Sequence, residues 1–147
     1  WENEEATQAA FTSDGYFRTG DIGYLDEDGY LFIVDRKKDI IIRGGENISC
    51  PEVEAAAYEH DAVAELSVFG IADDRYGEVP GLVYFTKEGS ELSPDELKSF
   101  LQAKLAPFKV PVHFWRVHEP LPRLGTQKID RVTLRREYNV KVKELED

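Results

Sequence analysis

Asp35-Arg36-Lys37-Lys38-Asp39-Ile40-Ile41-Ile42-Arg43-Gly44-Gly45-Glu46-Asn47-Ile48 is the stretch on which the reading of this chain turns. Its first five residues are all charged and interrupt the apolar pattern on either side. Ile40-Ile41-Ile42 then resumes as a short β-branched strand. Gly44-Gly45 lets the backbone take positive φ or approach a ligand closely. The charged run therefore reads as a candidate hinge between two bodies.

Upstream of it, Gly23-Tyr24-Leu25, the acidic turn Asp26-Glu27-Asp28-Gly29 and Tyr30-Leu31-Phe32-Ile33-Val34 predict a β-hairpin, because Asp-Gly is a strong turn dipeptide. Residues 1–14 are polar and predict irregular or partly helical structure. Downstream, Ser49-Cys50-Pro51-Glu52 and Ser93-Pro94-Asp95-Glu96 both have the form of a capping box. Val53, Ala56 and Ala57 give the first helix its apolar face. Leu97, Phe100, Leu101 and Leu105 give the second a stripe at i, i+3, i+4 and i+8. Residues 64–71 and 81–86 predict strands joined by the acidic loop 73–78. Pro107 and Pro111 end the second helix, and residues 112–117 predict another strand. Asp130 caps a last helix carrying Leu134 and Tyr138, with a charged, frayed tail from Lys141. The fold class predicted is α+β: a small mixed sheet with flanking helices over residues 38–147, preceded by a β-rich remnant of a larger domain over residues 1–37.

Composition narrows the function. The 147 residues are 41% hydrophobic and 12% aromatic, enough for a real core and against wholesale disorder. A net charge of −11 argues against nucleic acid as a partner, since that contact needs cations to displace counterions. Cys50 stands alone, so an internal disulfide and a cysteine metal framework are excluded, and a reducing, cytoplasmic setting is expected. No apolar run approaches the roughly 20 residues of a transmembrane segment. The first residues are acidic, lack the features of a signal peptide and do not start with Met, so the chain is expected to begin mid-protein.

Three segments carry chemistry. In Gly15-Tyr16-Phe17-Arg18-Thr19-Gly20-Asp21, the carboxylate of Asp21 is suited to a ribose 2′,3′-diol, or to an Asx turn on its own backbone. In the opening stretch, Arg36 to Lys38 are phosphate contacts or solvated surface, Arg43 completes a local basic patch, and Gly44-Gly45 is a ligand approach or a plain turn. In Leu121-Pro122-Arg123-Leu124-Gly125-Thr126-Gln127-Lys128-Ile129-Asp130-Arg131, Lys128 follows a glycine-threonine loop and precedes a helix. A lysine there can reach a reacting phosphate as a point charge, or be one more surface lysine. No repeat or metal-ligand spacing is present.

Taken in order and spacing, these segments resemble the C-terminal part of the adenylate-forming superfamily, which includes acyl- and aryl-CoA synthetases, luciferases and peptide-synthetase adenylation domains. The resemblance covers nearly the whole chain. It implies that Asp21 binds ribose, Arg36 contacts ribose and phosphate, and Lys38 is the hinge residue of a mobile C-terminal lid. It implies that Arg43-Gly44-Gly45-Glu46-Asn47-Ile48 enters the site for a thioester step, with Arg43, Gly44, Gly45 and Glu46 as binding residues and Arg43 and Lys109 as contacts for the nucleotide of coenzyme A. Lys128 falls on the catalytic lysine that contacts the acyl carboxylate and α-phosphate. The chemistry so implied joins a carboxylic acid, with fatty acids preferred, to ATP and then to coenzyme A, with Mg²⁺ held by the large domain absent from this chain. A fragment without that domain is expected to be inactive alone. Two other readings stay open: loading of an acyl carrier protein, and a non-catalytic ligand-binding module. The sequence departs from the family pattern at Gln127, where glycine is usual before the lysine, and at Leu124, where threonine is usual.

Overall fold

The computed structural model describes residues 2–146. The chain divides into two compact units, Trp1–Lys38 and Asp39–Asp147. The first holds helix α1 (Glu4–Ala10) and an antiparallel hairpin of β1 (Asp21–Leu25) and β2 (Leu31–Arg36). Asn3 caps α1 through its side chain. Asp26 closes the turn of the hairpin, its carboxylate accepting from the Asp28 and Tyr30 amides. Tyr24 stacks on Phe32 across the strands, a pair that helps fix the register.

The second unit runs β3 (Ile40–Arg43), β4 (Glu46–Ser49), α2 (Cys50–Tyr58), β5 (Val63–Asp73), β6 (Gly77–Thr86), α3 (Pro94–Gln102), β7 (His113–Val117) and α4 (Arg131–Glu146). The expected α+β class with a small mixed sheet and flanking helices is what the chain adopts. Strand order is β4-β3-β6-β5, with β7 alongside β6. All pairings are antiparallel except β6 with β7, which run parallel.

The β5–β6 hairpin carries both cores. On one face Leu66, Val68, Leu82 and Tyr84 meet Val53, Ala56 and Ala57 of α2 and Leu97 and Leu101 of α3. On the other, Phe69, Ile71, Val79 and Val83 meet Leu134, Tyr138 and Val142 of α4. Trp115 of β7 lies against Phe69 and Tyr138 on this second face. It can lie flat over β6 because Gly81 has no side chain: a Cβ there would sit 2.9 Å from the indole and 2.8 Å from Ile71. Tyr84 is fully buried and donates its hydroxyl to the Leu92 carbonyl at 2.8 Å. Burial pushes its phenol up to about 12.

β5 is the edge strand of this order, and four of its outward backbone groups are bonded by side chains. The Leu66 amide donates to the Tyr58 hydroxyl and the Val68 amide to Glu54. Asn139 of α4 accepts from the Ala72 amide and donates to the Gly70 carbonyl. The helices that cover the faces thus also close the edge, which removes a template for strand addition.

Local expectations fail at four points. A strand, β4, follows the glycine pair, because Glu46–Ser49 pairs with β3 in register. β5 and β6 extend toward each other until only residues 74–76 connect them. The Ser49 box is half-made: Ser49 accepts from the Glu52 amide, while the Glu52 carboxylate turns away to Lys109. Helix α4 does not fray at Lys141, since Val142 is buried beneath it.

The Ser93 box is complete, with the Glu96 carboxylate accepting from the Ser93 amide at 2.8 Å and from its hydroxyl at 2.7 Å. These bonds hold the Glu96 carboxyl below its ordinary value of 4.5. A lowered folded-state value contributes stability that is present above 4.5 and lost as pH falls through the lowered value. Glu96→Gln should therefore lower the urea midpoint at pH 7, and the difference from the parent should shrink as pH falls below 4.5 and through the lowered value. Ser93→Ala should cost about 1 kcal/mol near neutrality.

Candidate active site

In the first unit, Asp21 opens β1 and Arg36 closes β2, directly opposite each other. Arg36 Nε lies 3.0 Å from Asp21 Oδ1. Backbone bonds fix the approach, with the Asp21 amide donating to the Thr19 hydroxyl and the Lys37 amide to the Gly20 carbonyl. The Asx-turn reading of Asp21 fails: among the described residues its carboxylate faces Arg36, not its own turn. The guanidinium is more than half exposed, so the pair contributes about 1 kcal/mol at most. Both side chains remain accessible to a ligand with hydroxyl and phosphate groups. Lys37 and Lys38 form a 3-10 turn with Asp39.

In the second unit, Gly44 and Gly45 make the two-residue turn between β3 and β4, at φ +56° and +94°. A tight hairpin needs both residues at positive φ, which is why glycine serves twice. The Gly44 amide donates to the Tyr76 carbonyl at 2.8 Å. The Arg43 guanidinium stacks on the Tyr76 ring, 4.7 Å from its centre, and donates to the Phe108 carbonyl at 3.1 Å. Lys109, next in the chain, is held by Glu52 at 2.6 and 2.7 Å. Arg43, Tyr76 and Lys109 are thereby brought together around Phe108. Glu46 is exposed and pairs with Arg43 in the strand register only.

Lys128 lies on a small hairpin of its own. Arg123 and Ile129 form a bridge, the Leu124 amide donates to the Lys128 carbonyl, and the Gln127 amide donates to the Leu124 carbonyl. The loop is Gly125-Thr126-Gln127, a three-residue turn whose last position is left-handed; Gln127 has φ +67°. The resemblance leads one to expect glycine at this position, and the backbone supplies a physical reason: a residue with a Cβ is disfavoured there. Gly125 does not take positive φ and offers no substitute. Lys128 itself is exposed, and its ammonium has no ion-pair partner among the described residues. Two residues on, Asp130 caps α4. It accepts from the Thr133 amide and hydroxyl, which hold its carboxyl below the usual range.

The sequence reading missed the side chains that brace these loops. Arg131, the first residue of α4, pairs with Glu54 of α2 and with Asp39 at the start of the second unit. Arg123 pairs with Glu65 of β5 and donates to the Gln127 carbonyl. Glu54 and Glu65 lie far from their partners in sequence and on elements read only for their apolar faces, so no local signal marked them. Among the described residues no group of three or more His, Cys, Asp or Glu is placed to hold a metal ion. No helix among them is long and apolar enough to cross a membrane.

An α+β unit that displays a lysine hairpin, with a glycine hairpin braced by arginine, defines a class. Residues 52–128 match the AMP-binding enzyme C-terminal domain family. The chain belongs to that family. It is 46% identical over 121 residues to a 2-succinylbenzoate–CoA ligase of Geobacillus sp. (strain WCH70), covering 82% of this chain and 24% of the relative. It is 44% identical over 131 residues to a long-chain-fatty-acid–CoA ligase of Bacillus subtilis (strain 168), covering 89% and 23%. The crystal structure of ATP-bound MatB from Rhodopseudomonas palustris superposes with a TM-score of 0.84 at 33% identity, over 95% of this chain and 27% of that one. The o-succinylbenzoate CoA synthetase of Bacillus subtilis, in complex with its acyl-adenylate intermediate, superposes with a TM-score of 0.77 at 39% identity, over 90% and 27%. The chain thus spans about a quarter of the length of the relatives it matches.

Gln127→Gly should relieve the left-handed residue and stabilise the second unit by up to about 1 kcal/mol. A urea midpoint below that of the parent would show that the hairpin gains nothing from glycine.

Proposed function

We propose that this chain is the C-terminal part of an ATP-dependent, AMP-forming acid–thiol ligase, in which a carboxylic acid is adenylated and then passed to coenzyme A. The observation that carries the reading is the exposed ammonium of Lys128, without an ion-pair partner among the described residues, on a backbone-bonded hairpin, within a chain whose relatives are named as CoA ligases. In the first step an acid carboxylate attacks the α-phosphate of ATP and pyrophosphate leaves. Two anions must meet, so a cation fixed at the developing charge lowers the barrier. Lys128 supplies it. Asp21 accepts from the ribose hydroxyls and Arg36 reaches ribose and phosphate, which holds the nucleotide for in-line attack.

In the second step the coenzyme A thiol attacks the acyl-adenylate carbonyl and AMP leaves. Gly44 and Gly45, lacking side chains, leave room for the narrow pantetheine arm, with Arg43 and Glu46 flanking it. Lys109 and Arg43 provide positive charge for the coenzyme's nucleotide. Exchange of the two hairpins between steps calls for a hinge, and Lys38 occupies the boundary between the two units. The partner in this cycle is the upstream large domain, which supplies the acid pocket. The acid is an aryl-type dicarboxylate such as succinylbenzoate or a fatty acid, and the single cysteine, Cys50, supports a reducing, cytoplasmic setting for the reaction.

The test uses the full-length protein and acid-dependent ATP–pyrophosphate exchange over a panel of aryl and fatty acids. Lys128→Ala should lower exchange by about 10²–10³. The same variant should still form thioester from a supplied acyl-adenylate. Exchange that survives the substitution, or that no acid elicits in the parent, would remove the proposal.

A further inference from the structure

The ammonium of Lys128 is useful only if the hairpin beneath it keeps one shape, and the hairpin contains a residue that resists that shape. Gln127 sits at φ +67°, where a residue with a Cβ is intrinsically disfavoured. Something else must hold it. The Gln127 carbonyl accepts from Arg123 Nη1 at 2.7 Å. The other end of the same guanidinium, Nη2, is engaged by Glu65 Oε1. The second oxygen of Glu65 accepts from the Leu121 amide at 2.9 Å, so this one carboxylate binds both the start of the segment and its clamp. Glu65 is on β5, whose backbone is paired along its length with β6. A planar guanidinium with two donor edges suits such a bridge, whereas a lysine ammonium offers a single point.

We infer that Glu65 and Arg123 are positioning residues for Lys128: they lock the Gln127 carbonyl and thereby hold the lysine hairpin in its adenylation-competent shape. The inference rests on the ligase reading above. It assigns to the pair a function specific to one half-reaction, because the glycine hairpin of the thioester step is braced separately, by Tyr76 and Phe108. It also explains how glutamine is tolerated where glycine is usual, since the clamp stabilises what glycine would permit unaided.

The experiment compares both half-reactions in the full-length protein carrying Arg123→Gln, Glu65→Gln, and Arg123→Gln with Gln127→Gly. Arg123→Gln should lower ATP–pyrophosphate exchange about ten- to a hundredfold, as expected for misplacement of a reacting group. Glu65→Gln should lower it in the same direction. Thioester formation from a supplied acyl-adenylate should stay within about twofold in each, since no reacting group of that step moves. Adding Gln127→Gly to Arg123→Gln should restore most of the lost exchange. Hydrogen exchange at the Leu124 amide, which donates to the Lys128 carbonyl, should quicken in Arg123→Gln and slow again with glycine. Parallel loss of both half-reactions would reduce the clamp to a fold contact and overturn the inference, as would failure of glycine to rescue. A parent that exchanges with no acid would overturn the ligase reading, whereas unchanged protection of Leu124 in Arg123→Gln would overturn the clamp whichever reading holds.

Discussion

The ten-residue antiparallel register between β5 and β6 is the constraint from which the second unit is built. Because successive side chains alternate, one hairpin presents Leu66, Val68, Leu82 and Tyr84 to α2 and α3, and Phe69, Ile71, Val79 and Val83 to α4. A slip of one residue would exchange the two sets and strand both cores. The parallel strand β7 is seated through Gly81, where a Cβ would collide with the Trp115 ring. The turn of the same hairpin supplies Tyr76, which braces Arg43 and Gly44. The strand β5 supplies Glu65, which holds Arg123. Core and functional loops therefore share one scaffold.

Electrostatic braces sit at each joint and differ in kind. Arg36 and Asp21 form an exposed pair that a ligand can recruit. Arg131 bridges Glu54 and Asp39 with its partners largely buried, so loss of the guanidinium would leave two carboxylates uncompensated in a poor dielectric. That difference separates groups available for binding from groups committed to shape.

Much of the fold was legible because its signals are local. Asp28-Gly29 marked the first hairpin, Ser93 with Glu96 marked α3, and the β-branched run of Ile40 to Ile42 marked β3. The candidate site was legible as motif: Asp21, Gly44, Gly45 and Lys128 were singled out from short segments. What could not be read is what depends on tertiary partners. β4 carries no strong strand signal in Glu46-Asn47-Ile48-Ser49 and exists because β3 lies beside it. Glu52 satisfies the capping pattern in sequence, yet Lys109 competes for its carboxylate and wins. The end of α4 looks solvated by composition, but Val142 is buried in the same cluster as Phe69 and Val83. Gln127 reads as an anomaly until its left-handed backbone and its carbonyl bond to Arg123 are seen together.

The closure of β5 by Tyr58, Glu54 and Asn139 has a consequence for descent as well as for solubility. A unit whose edge, cores and lysine hairpin are all satisfied by its own side chains asks little of whatever precedes it. Such a unit can be inherited as a cassette, since the sequence around it can drift or be exchanged without repacking its cores.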